Sequence, residues 1–174
     1  MHYWNKDNFE GLKDIGVQYS SKKDFELFGD YCLKKESGLK KLANKSLNIF
    51  ILNAKRLPKD RQYAIAEELA SLGFWNGQVH QLLAYPVVQY LTEVLKDWAL
   101  NEPKSHIPLK WLGYLDGDIT WYEKALELQP DDQVCIYRIS MAHIHRLDFM
   151  THHLDETQFL GDEAEAFEHL NNVN

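Results

Sequence analysis

Long apolar runs are missing from this chain: none approaches the roughly 18 residues of a membrane helix. The longest candidates, IFIL (49–52) and LLAYPVV (82–88), are the size of core segments. The opening MHYWNKDNFEGLKDIG lacks the apolar centre of a signal peptide, which points away from secretion. Cysteine is equally sparse. Cys32 and Cys135 are the only two in 174 residues and have no metal-like spacing, so two free buried thiols in a reducing cytoplasm are expected. Catalytic signatures are also absent: the sequence holds no His-Glu-x-x-His, Glu-x-x-His, Cys-x-x-Cys or Gly-x-Ser-x-Gly, and no phosphate-binding glycine loop. The adjacent Glu67 and Glu68 diverge by about 100° on a helix, which suits a solvated face better than a paired acid and base. These absences favour a chain that is not an enzyme and that needs no cofactor.

Charge is present but unevenly spread. Residues 1–61 carry 13 Lys and Arg against 8 Asp and Glu, a net of +5, whereas 62–174 carry 6 against 18, a net of −12. From Leu147 onward there are seven acidic residues and no Lys or Arg. Such polarity steers an oppositely charged partner, or is satisfied within one chain or between copies of it. The basic stretch from Lys34 to Arg61 is Lys-dominated and poor in aromatics, in an acidic protein of net charge −7. A solvated face is favoured there over a nucleic-acid surface.

The apolar pattern is helical throughout, with no sustained strand-like alternation. A first helix is expected over 5–16. Ser21 and Asp24 suggest a capping box for a second. The clearest stripe is Leu39, Leu42, Ala43, Leu47, Phe50, Ile51 and Ala54 in the helix predicted over 39–56. Pro58 opens the next helix, Gly73 is expected to stop it, and GFWNG (73–77) reads as an interhelical loop. A helical stretch over 78–100, kinked near Pro86, follows. Segments 109–115, 118–129, 132–146, 147–158 and 162–171 complete an all-α chain of antiparallel helical hairpins, stacked as an irregular bundle or short α-solenoid in one domain over 1–174.

The segment YEKALELQPDD (122–132) puts Tyr122, Ala125 and Leu126 on one helical face and closes with Pro130. Gly117-Asp118 stands before it as a turn, and LGDEAEAFEHL (160–170) repeats the theme with Gly161, Ala166 and Leu170. Over roughly 109–171 the chain thereby resembles tetratricopeptide-repeat helical hairpins. Its glycine-to-aromatic distance is about one helical turn shorter than the family's, and Val88, Leu91 and Lys96 stand 34 residues upstream in place of a copy in phase. The resemblance implies a stack of helix pairs that binds another protein, without cofactor or chemistry.

Two constellations deserve placing. Trp75, Trp111, Tyr114 and Trp121 are candidate anchors for a protein partner wherever they are exposed. His145, Asp148, His152 and Asp155 fall at i, i+3, i+7 and i+10 of one continuous helix, a pattern that could hold zinc or another divalent ion. The expected function is a cytoplasmic, non-enzymatic protein-interaction module of scaffold or adaptor type. The alternatives are an immunity- or inhibitor-type protein whose acidic C-terminal half masks a basic partner, and a metal-dependent hydrolase using the His/Asp face.

Overall fold

A computed structural model describes residues 9–151 and 159–173. Those residues form nine α-helices and no strand. None of these helices is long and apolar enough to cross a membrane. The chain divides into two compact units, residues 1–101 and 102–174, so the repeat-like stretch 109–171 falls within the second.

The first unit holds α1 (Leu12–Ser20), α2 (Glu26–Glu36), α3 (Lys40–Ala54), α4 (Lys59–Trp75) and α5 (Tyr85–Asn101). Helices α1 and α2 cross where only hydrogen fits: a Cβ on Gly29 would lie 2.4 Å from the Ser20 backbone nitrogen. Rings fill the layer beneath, with Tyr19 edge-on to Phe25 and Phe28 at centroid distances of 5.4 and 5.7 Å, and Phe28 5.7 Å from Phe50 of α3. Such edge and tilted contacts add about 0.5–1.5 kcal/mol each beyond area burial. Between α4 and α5, Tyr63 stacks on Trp98 at 5.0 Å and 3°. The Tyr63 hydroxyl donates to Asp97 Oδ2 at 2.8 Å, and Lys59 meets the same carboxylate at 2.9 Å. Helix α3 packs on both α2 and α5.

Several local expectations are corrected. No capping box forms at Ser21: its hydroxyl donates to the Gln18 carbonyl, while Asp24 adopts a left-handed φ of 72° and pairs with Arg61. Gly73 does not stop α4 but is buried within it, and Trp75 is that helix's last residue rather than a loop residue. Residues 76–84 form turns, and Pro86 lies in the first turn of α5 instead of kinking a longer helix. A proline lacks the N–H that a first turn leaves unbonded, so it starts a helix more readily than it bends one. Along α3, Ala43, Leu47, Phe50 and Ala54 are buried as the stripe predicts, but Leu39 and Leu42 are each 49% exposed.

The second unit holds α6 (Ile107–Asp116), α7 (Ile119–Leu128), α8 (Gln133–Thr151) and α9 (Glu163–Asn171). Its main packing joins sequence neighbours only: α6 with α7, α7 with α8, and α8 with α9. The turn expected at Gly117-Asp118 is present. Gly117 takes φ 78°, a region that penalises any Cβ, and the Asp118 carboxylate accepts from the Thr120 amide at 2.9 Å. Gly113 lets α7 approach, since a Cβ there would sit 2.9 Å from the Tyr122 ring. The core formed at this joint is small: Tyr122, Ala125 and Cys135, with Leu109, Leu126 and Ile139 around them. Asp132 fastens α6 to α8. Its Oδ1 caps α8 through the amides of Val134 and Cys135 at 3.0 and 3.1 Å, and its Oδ2 meets Lys110 at 2.9 Å and His106 at 3.3 Å. Burial opposes the Asp132 carboxylate, but the bonds from Lys110 and the Cys135 amide outweigh it and hold its pKa below the ordinary value. Helix α8 runs unbroken through Asp148.

Candidate functional site

Four of the basic residues of the Lys34–Arg61 stretch are engaged in ion pairs. Of the nine between Lys34 and Arg61, Lys34 pairs with Asp30, Lys55 with Glu93, Lys59 with Asp97 and Arg61 with Asp24, all within the first unit. Both cysteines are buried free thiols. Burial pushes each pKa up to about 12, so neither supplies a thiolate at neutral pH.

The aromatic candidates separate by exposure. Trp75 is 67% exposed on the first unit, edge-on to Phe74 at 4.8 Å. Trp111 is only 4% exposed and packs within the second unit, so its indole offers no surface to a partner. Tyr114 is half-buried at 6.4 Å from Trp111, and burial raises its pKa. Trp121 is half-buried and donates its indole N–H to Asp116 Oδ2 at 2.8 Å, with Lys124 Nζ 5.0 Å over its ring.

Of the His/Asp series, His145 and Asp148 are exposed on α8, whereas His152 and Asp155 lie outside the described residues. Among the described residues no three His, Cys, Asp or Glu side chains converge as metal ligands. The structure instead brings together a histidine pair that the spacing did not single out. His143 Nδ1 of α8 lies 2.8 Å from His169 Nδ1 of α9, and His169 Nε2 lies 3.4 Å from Glu165 Oε1. One neutral tautomer set satisfies both contacts: His169 keeps its proton on Nε2, toward Glu165, and accepts at Nδ1 from His143. Arg146 also holds Glu165, at 2.9 Å, and with His169 keeps that carboxyl below its usual pKa. One side of α9 is thus fixed to α8.

Another side of α9 carries an apolar surface. A groove of about 360 Å³ is lined by Leu147, Phe159, Glu163, Ala166, Phe167 and Leu170. Phe167 is 64% exposed. Along α8, the exposed Tyr137 and Ile144 stand at i and i+7 with the groove-lining Leu147 at i+10, all within about 80° of the helix circumference. Of the 19 residues of α8, only Cys135 and Met150 are buried. Glu163, Glu168 and Asp148, all exposed, flank the surface. The Arg146 guanidinium pairs with Glu165 and lies 5.5 Å over the Phe149 ring. Contiguous apolar area of this kind, rimmed by charge, marks contact surfaces.

The acidic stretch from Leu147 onward was visible in the sequence, but Tyr137, Ile144 and Leu147 were not singled out there, although their spacing is present in it. Which side of α9 would face outward was not visible, because Phe167 and His169 read alike as residues of an amphipathic turn. No family model, curated protein or solved structure matches this chain.

Proposed function

We propose that this chain is a non-enzymatic protein-binding module of scaffold or adaptor type, whose working surface is the acid-flanked apolar face of α8 and α9. The observation that carries this reading is that face itself: it is exposed on a helix pair held together by His143, His169, Arg146 and Glu165. A pre-fixed apolar groove meets the requirement for anchor side chains to be buried with little reordering. The hairpin of α6 and α7, with its Gly117-Asp118 turn, is compatible with a tetratricopeptide-repeat-like design, in which an uncapped end exposes apolar surface. A reducing, cytoplasmic setting fits the two buried thiols.

Photo-cross-linking in source cells tests this. With a benzophenone side chain at position 144 or 167, one dominant protein adduct is expected; with the same group at the exposed position 18 of the first unit, none is. Equal labelling from all three positions, or turnover of a substrate by the purified chain, overturns the proposal. A second reading, an inhibitor or immunity-type protein masking a basic partner, is favoured by the lack of Lys and Arg after Arg146. Salt-insensitive binding restricted to neutral or acidic partners argues against it.

A further inference from the structure

We infer that the segment filling the α8/α9 face is a basic amphipathic α-helix of a partner protein, laid along α8 with its apolar side chains against Tyr137, Ile144 and Phe167. This rests on the protein-binding reading and adds the shape and charge of what binds. Shape comes from the surface: Tyr137, Ile144 and Leu147 lie within eleven residues of α8, a rise of about 15 Å, and end in the α8/α9 groove. A facing helix of about three turns, with apolar residues at i, i+3 or i+4 and i+7, matches that length and its side-chain rows. Charge comes from the rim. Asp148 borders the stripe on α8, Glu163 lines the groove, and Glu168 stands beyond Phe167, with no lysine or arginine anywhere in the chain after Arg146. Lys and Arg on the flanks of the incoming helix meet these carboxylates, whereas an acidic helix meets three like charges.

Two other features carry less. The hollow of about 140 Å³ bordered by Asp24, Glu26, Leu27 and Phe50 is small, and its Asp24 is engaged by Arg61. The exposed Leu42, Ile49 and Leu52 of α3 form a stripe broken by Lys45, and none of the three lines either hollow described above.

The test uses the full chain and two synthetic helical peptides of about 18 residues, long enough to hold a helix. Both carry leucines at alternating three- and four-residue spacing; one is flanked by lysines, the other by glutamates. Fluorescence anisotropy at physiological salt is expected to show the lysine peptide binding at least about tenfold more tightly, weakening as salt rises. Phe167→Ser and the pair Asp148→Lys/Glu163→Lys should each cost about tenfold or more in affinity, and Trp75→Ser should cost nothing. Circular dichroism checks that each variant keeps its helices. Equal binding of the two peptides, no binding, or binding untouched by Phe167→Ser overturns the inference. So does sedimentation showing a second copy occupying this face without competition from the lysine peptide. If positions 144 and 167 still cross-link a partner while the peptides fail, the protein-binding reading stands and this inference alone falls.

Discussion

In residues 9–101 most of the large rings are inside, although Trp75 and Tyr85 are 67% and 72% exposed. Tyr19, Phe25, Phe28, Tyr31, Phe50, Tyr63, Tyr90 and Trp98 are all buried, whereas in the second unit only Trp111 and Tyr122 are, and Tyr137, Phe149 and Phe167 are more than half exposed. The sequence composition of the two stretches does not account for this, since both are rich in aromatics. The difference lies in how the helices close. In the first unit α3 packs on α2 before it in the chain and also on α5, two helices beyond, so its inner face is covered from both sides. In the second, each helix packs chiefly on its neighbour in sequence. A row of hairpins always has an outer face, and if that face is apolar its burial must come from another molecule.

Emptying the first core would erase this contrast between the units most severely. Phe28→Ala removes a fully buried ring touching Tyr19 and Phe50, and a loss of about 4 kcal/mol is expected from urea unfolding. Hydrogen exchange at the amides of α2 and α3 should accelerate accordingly.

Next in size is Asp132→Ala, which strands Lys110 in a site where the two side chains are 13% and 8% exposed; about 3 kcal/mol should be lost. Because its folded pKa lies below the unfolded value, this carboxylate contributes stability above the unfolded pKa. That contribution fades as pH falls through the folded one. Acid titration of thermal stability should therefore be flatter in Asp132→Ala than in the parent. An unchanged acid limb would show that Asp132 does not couple α6 to α8.

Gly29→Ala is expected to cost about 2 kcal/mol by forcing α1 from α2. The smallest effect belongs to the exposed rings. Phe167→Ser and Trp75→Ala should each change stability by no more than about 0.5 kcal/mol, and Phe167→Ser alone should lower binding of a dye specific for apolar surface. A stability loss of several kcal/mol at Phe167 would mean that this ring is part of a core, and the contrast between the units would disappear.

Much of the architecture was legible because helical periodicity is a local property. The buried side of α3, the Gly117-Asp118 turn, and the start of α9 after Gly161 follow from spacing and backbone preference. What was not legible depended on partners distant in sequence. Asp24 resembles a cap residue, yet Arg61, 37 positions away, takes its carboxylate. Pro86 resembles a kink because the turns at 76–84 leave no strong polar signal. Leu42 resembles core because a stripe cannot reveal which of its edges a neighbour covers. The aromatics were the hardest: Trp111 and Phe167 are 4% and 64% exposed, a difference set by which helices flank each one. The histidine pair escaped notice for the same reason, since His143 and His169 are 26 residues apart.

Asp132 divides its two oxygens between separate duties, one for the opening amides of α8 and one for Lys110. Asparagine has the same outline but a single acceptor. If its oxygen serves α8, an NH₂ group is thrust at an ammonium; if it serves the ammonium, the helix start loses its acceptor. A swap that is conservative in volume would thus turn a bolt into a wedge, and loss of one amide nitrogen's worth of difference, as when an asparagine deamidates, would restore it.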